Sequence, residues 1–453
     1  MIYKNFNIHF IFIILSVLSQ LLNTVVYGQD YKPETRVGHA AVSVEDKIYH
    51  IGGFRTSNKS DVYDLISDFF YLDANTDSEN FLTWVDLKKD GVNLPYTVWH
   101  IANIGGVNQD SIFIVGGAHY NVSNICYEFD TKTNALSIPA IQGIVPPSRK
   151  GINSVSLEGK IYMFGGQTGG ADNITLFSNF DILDTINLNW KVGSLINSPG
   201  IRTLYTATLV NGIIYYIGGK SGSYIYSPMT DIYLYDIIGD TWSLKTATAE
   251  NINTMPGPRE GHSAVLNDGK IFIYGGLFSS NDLPYKVSAK ETIATLDTIT
   301  FVWSIPALND TNVPKLAYHT ATLMYKFMII TFGNVTDMPL SEDQTNKSPY
   351  MFNLADPNFQ WFPLRTSIPI ISITTNPPLT PPDAKTEPQQ SSTSNKMIIV
   401  GISVASVILI LSIYVTYSLF NKHKKNPIEA EESGGNANNN ISNNEVKSEH
   451  QRD

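Results

Sequence analysis

The feature that most constrains this chain is a glycine pair closing an apolar strand, which recurs at Gly52-Gly53, Gly116-Gly117, Gly165-Gly166, Gly218-Gly219 and Gly275-Gly276. A degenerate sixth copy is read at Gly333-Asn334. The spacing, roughly 50 to 64 residues, is that of one multi-stranded unit repeated in series. Each pair implies a strand exit at positive φ, where a Cβ costs about 1 to 2 kcal/mol.

The repeats share a register. Arg36, Arg149, Arg202 and Arg259 each stand sixteen residues before a first glycine, and His39, Ile152, Tyr205 and His262 follow them by three. Alternating segments such as SLEGKIYMFGG, LVNGIIYYIGG and LNDGKIFIYGG carry a turn signal between two strands, and Asn-Gly or Asp-Gly there predicts a two-residue hairpin. Six residues past Asp184, Asp236 and Asp297 lie Trp190, Trp242 and Trp303, while Trp84 and Trp361 end the first and last copies. Leu136 replaces the tryptophan of the second copy, and its His100-to-Gly116 spacing is wider than in the others. Four strands per repeat follow.

These residues resemble the kelch motif over about Arg36 to Trp361. The resemblance implies an all-β, six-bladed kelch-type β-propeller, rather than one of seven blades, occupying residues 29–373. It implies that the tryptophans wedge between blades, that Gly333 belongs to a sixth doublet, and that long loops carry a binding function.

The ends of the chain read differently. Lys4 precedes an apolar run from Ile8 to Leu22, which predicts a signal peptide over 1–28 cleaved near Gly28. Residues 374–396, rich in Pro, Thr and Ser, predict an extended stalk. Residues 397–420 contain no charged side chain and as a helix rise about 36 Å, enough to span a bilayer. Lys422, Lys424 and Lys425 then place the tail, 421–453, on the cytoplasmic side as a disordered segment. The expectation is a single-pass type I protein of the plasma or a secretory-pathway membrane. A charged fraction of only 16% suits that class, a net charge of −10 without a basic stripe argues against nucleic acid, and the lone Cys126 excludes an internal disulfide.

In a four-strand blade, the loops after the doublets and those between blades emerge on one face, and both are long. Sequons at Asn58, Asn121, Asn173, Asn309, Asn334 and Asn346 all map to that face and are expected N-glycosylation sites. His39, His100, His262 and His319 recur at related positions; a metal ring is conceivable, but a repeated packing role is the stronger reading. Tyr318-His319 resembles one element of the copper site of galactose oxidase, a kelch-like enzyme, yet Cys126 falls in a different strand and repeat. No catalytic residue, metal or cofactor is therefore assigned. The expected role is binding of a protein or glycan partner, with a galactose oxidase-like or other glycan-active enzyme as the alternative.

Overall fold

The computed structural model describes residues 31–364 apart from 57–62, 75–81, 120–123, 171–172, 223, 284–285, 309–312, 338–345, 347 and 357–358. The expected signal peptide, stalk, membrane helix and tail lie outside the described residues, among which no helix is long and apolar enough to cross a membrane.

Six sheets of four antiparallel strands form, each from one repeat, and in the fifth blade Thr248–Ala249 of the preceding linker adds a fifth strand parallel to Val302–Ser304. Their inner strands are Ala40–Val44, Ile101–Gly105, Ser154–Leu157, Thr206–Val210, Ser263–Asn267 and Thr320–Met324, and each lies beside the next around a ring. Second strands end at the doublets, as in Lys47–Ile51 and Lys270–Tyr274; third strands such as Phe180–Asp184 end in the expected Asp; outer strands such as Thr241–Thr246 carry the tryptophan. The hairpins Glu158-Gly159, Asn211-Gly212 and Asp268-Gly269 have positive φ at both residues, as their sequences require. In the second blade the hairpin occupies residues 106–110 instead of two, which accounts for the wide His100-to-Gly116 spacing without disturbing the sheet.

Packing is organised between blades. Each of six apolar clusters draws on two neighbouring repeats: Trp242, for example, joins Phe164 and Phe180 of blade three to Tyr216 and Tyr235 of blade four. Trp303, fully buried, does the same between blades four and five. Their indole N–H groups donate to carbonyls of the preceding blade's loops, Trp242 to Ser194 O at 2.7 Å and Trp303 to Met229 O at 2.8 Å. Leu136, lacking both the area and the donor, is only a partly buried neighbour of its cluster.

Among the described residues the ring closes without an exchanged strand. Inner strands Thr320–Met324 and Ala40–Val44 meet, and Ile48, Phe70, Leu72 and Trp84 of blade one pack with Met324, Ile329 and Phe332 of blade six. Tyr31 adds its ring to Phe70 at 5.5 Å and forms no strand pair. Residues 368–373, an alternative closing strand by sequence, lie outside the described residues.

One sequence assignment shifts by a residue. The sixth doublet is Phe332-Gly333, not Gly333-Asn334, because the second strand ends at Thr331 and Asn334 is already paired with Ala317. Phe332 holds φ 57° in the first glycine's place, and its ring packs edge-on to His39 at 5.2 Å and tilted beside Trp84 at 6.0 Å. Restoring consensus here is therefore expected to harm. Phe332→Gly relieves about 1 to 2 kcal/mol of backbone strain but removes about 3 to 5 kcal/mol of core packing, so a net loss near 2 kcal/mol is expected in chemical denaturation.

Candidate functional site at the channel mouth

The sixteen-residue spacing is a hydrogen bond. Arg36, Arg149 and Arg259 each extend Nη1 to the carbonyl of the doublet's first glycine, at 3.1, 2.9 and 2.9 Å. Arg36 is also paired with Asp68 at 2.9 Å and Arg149 with Asp181, which compensates those two buried charges, while Arg259 donates to the Glu291 and Lys290 carbonyls. Arg202 instead lies 5.0 Å over the Tyr233 ring, and burial lowers its pKa to about 10, which leaves it charged at neutral pH. These arginines tie strand exits to strand entries and are structural.

So are the recurring histidines. His39 Nε2 meets Thr320 Oγ1 at 2.8 Å, His262 Nε2 meets Thr206 Oγ1 at 3.2 Å, and His319 Nε2 meets Ser263 Oγ at 2.8 Å. Each hydroxyl belongs to the preceding blade's inner strand, so the imidazoles latch blade to blade. Tyr205 replaces the latch in blade four, donating to Asn153 O at 3.0 Å and Phe164 O at 2.5 Å. Among the described residues no group of three or more His, Cys, Asp or Glu is placed to hold a metal. Cys126 is buried in the third strand of blade two, and burial pushes its thiol up to about 12; Tyr318 and His319 belong to blade six.

One residue before His39 and its counterparts, the chain enters the inner strand in a left-handed conformation: Gly38, Trp99, Gly151, Leu204, Gly261 and Tyr318, with φ from 55° at Leu204 to 68° at Gly151. Glycine and bulky residues alternate around the mouth. Backbone N–H groups link neighbours across blades, Trp99 to Gly38 O and Leu204 to Gly151 O at 2.7 Å, and Tyr318 to Gly261 O at 2.8 Å. The Trp99 and Tyr318 rings, from the two blades flanking blade one, meet edge to face at 5.0 Å.

Beside Tyr318 lies a fully buried carboxylate. Glu260 receives Lys220 on Oε2 at 2.5 Å and Lys286 on Oε1 at 2.6 Å, and the Tyr318 hydroxyl donates to it at 3.2 Å while accepting from Lys286 at 2.9 Å. Burial works to raise the Glu260 pKa, but the two ammonium groups hold it below the ordinary range. The repeat register marks the six ring positions, but their meeting at one mouth, and the pairing of Glu260 with Lys220 and Lys286, join side chains of different blades and carry no local signal.

Apolar side chains are exposed on neighbouring blades three and four: Ile174, Tyr224 and Ile225, the last at 65% exposure, in the loops after the doublets, and Ile144 at 87% and Ile196 at 75% on the linkers between blades. On the short-turn face the exposed Ile186, Ile238 and Ile299 stand one per blade, each two residues past the Asp that caps its turn. Of the sequons, Asn173 is exposed and Asn334 is half-buried in its strand pair. Asn346 is buried, and its Nδ2, where a sugar would be attached, donates to Phe332 O at 3.1 Å. Asn58, Asn121 and Asn309 lie outside the described residues.

Residues 38–276 match the profile of the KLHDC2/KLHL20/DRC7 Kelch-repeats domain, more than half of the chain. The protein belongs to the kelch-repeat family. Kelch domain-containing protein 3 of Rattus norvegicus is 28% identical over 255 residues, covering 53% of this chain and 64% of that protein. The Rab9 effector protein with kelch motifs of Homo sapiens is 26% identical over 207 residues, covering 43% of this chain and 52% of that protein. The chain thus spans less than two thirds of the length of these kelch relatives. The solved structure of YjhT superposes with a TM-score of 0.56 at 12% identity, over 74% of this chain and 99% of that one, a likeness of fold. In this kelch propeller Arg36, Arg149, Arg259, Trp242 and Trp303 are engaged in contacts within and between blades.

Proposed function

We propose that this kelch protein is a cell-surface or luminal recognition module, whose propeller is anchored by 397–420 and engages a protein partner through its long-loop face. Kelch propellers typically bind proteins, and the observation that carries the reading here is the exposed apolar group on adjacent blades three and four. Isolated exposed residues carry no meaning, whereas several on neighbouring loops and linkers mark interaction surfaces. A glycan at exposed Asn173, on the same face, would border that surface and limit the approach of other partners.

The test is capture by the tagged full-length chain, compared with Ile196→Asp/Ile225→Asp. Loss of a specifically retained protein in the double variant, at unchanged melting temperature, is the expected result; equal retention by both chains would move the partner elsewhere. Fractionation with protease protection should place the propeller outside or in the lumen.

A further inference from the structure

The cavity enclosed by the six inner strands has a volume of about 600 Å³, within the range of small-molecule sites. Among the described residues no Asp, Glu, Lys or Arg lines it. Three of its histidines, His39, His262 and His319, are turned to inter-blade hydroxyls, and burial keeps them neutral by lowering their pKa. An ion entering this space would leave its hydration shell and meet no counter-charge. Polar groups are nonetheless plentiful: Ser43, Asn103, Asn153, Ser154 and Thr322 offer hydroxyls and amides able both to donate and to accept. Asn103 and Ser154 are already joined at 2.6 Å across blades two and three, which orients them.

The entrance is built for contact with a ring. Glycine satisfies the left-handed position in three blades, so the fold does not demand a side chain there, yet Trp99, Leu204 and Tyr318 hold it against the steric preference of their own backbones. All three are only partly buried: each packs over the glycine of the preceding blade's mouth position, and each still lines the cavity. Two of the three are aromatic, and the Tyr318 hydroxyl is fixed by Lys286 and Glu260, so the ring is set before any ligand arrives.

We propose that the central channel is a binding site for an uncharged, hydroxyl-bearing small molecule of the sugar class, whose ring lies against Trp99 and Tyr318 while its hydroxyls reach the Ser and Asn side chains of the inner strands. This site is separate from the protein-docking surface, so either can fail without the other.

Titration calorimetry of the purified full-length chain with the methyl glycosides of glucose, galactose, mannose and N-acetylglucosamine, beside glucuronate and glucosamine, tests it. At least one neutral glycoside is expected to saturate, and the charged sugars are expected to bind at least about tenfold more weakly, which is about 1.4 kcal/mol. Trp99→Gly adopts the residue used at Gly38 and should abolish binding with little change in melting temperature. Asn153→Ala, which leaves the mouth intact, should weaken binding at least about fivefold and keeps the proposal testable if Trp99→Gly unfolds. Binding of none of the glycosides, equal binding of glucuronate, or unchanged binding in Asn153→Ala would overturn it.

Discussion

Gly275→Ala should prevent the propeller from folding, or cost it more than about 4 kcal/mol, whereas Gly269→Ala, six residues away in the same blade, should cost only about 1 to 2 kcal/mol. Both glycines have left-handed backbones, at φ 68° and 73°, so both variants pay the same local strain. They differ in what a methyl group meets. At Gly269 there is nothing within 4 Å; at Gly275 it would fall inside the carbonyl oxygen of Leu316 and 2.9 Å from His319 Cε1, both of the next blade. Backbone cannot swing aside as a flexible side chain can, and Leu316 O also accepts the Gly276 N–H at 2.8 Å. The clash therefore opens the interface between blades five and six. Comparing melting temperatures and soluble yield of the two variants separates the inter-blade role from backbone strain; equal losses would show that strain alone explains the conserved geometry of the doublet.

Acid should destabilise the propeller well above the range where carboxylates titrate. His39, His50, His262 and His319 have folded pKa values depressed by burial, His50 and His319 to about 3. Above pH ~6.5 folded and unfolded chains bind no proton at these sites, so stability is flat. Below it the unfolded chain takes up protons that the folded chain refuses, and each histidine costs about 1.4 kcal/mol per pH unit until its folded pKa is reached. Between pH 6.5 and 4.5 the melting temperature should fall steeply. His50 is the most instructive of the four, because it is fully buried, both ring nitrogens lack a hydrogen-bond partner, and it stacks on Phe70 at 5.3 Å in the ring-closing cluster. His50→Phe should retain that stacking and flatten the decline by about 1.4 kcal/mol per pH unit. A melting temperature that is constant from pH 7 to 5 in the parent chain would refute the assignment of neutral buried imidazoles.

Much of this architecture was legible because repetition turns local signals into registered ones. Asn211-Gly212 alone marks a turn; the same turn at the same offset before Gly218, Gly165 and Gly275 marks a blade. Where a copy is degenerate, register by residue type failed. Gly333 is flanked by Phe332 and Asn334, and asparagine tolerates a left-handed backbone better than phenylalanine does, so residue type points to the wrong neighbour. The candidate mouth shows the same limit. Tyr318 and His319 drew notice through a resemblance to a copper site, but which face of Tyr318 meets Trp99, and that Lys286 fixes its hydroxyl, depend on residues 219 and 32 positions away being folded together.

By itself, then, the sequence determined the blade: strand alternation, two-residue hairpins and the left-handed strand exit at the doublet are short-range requirements of backbone conformation, and each can be satisfied within one repeat. Only the tertiary structure decided how the blades become a ring and what the ring encloses. Closure by Phe332, Trp84 and Tyr31, the buried Glu260 between two lysines, and the alternation of glycine with Trp99, Leu204 and Tyr318 at the mouth all arise between repeats. There the packing of one blade against the next selects side chains that no local pattern encodes.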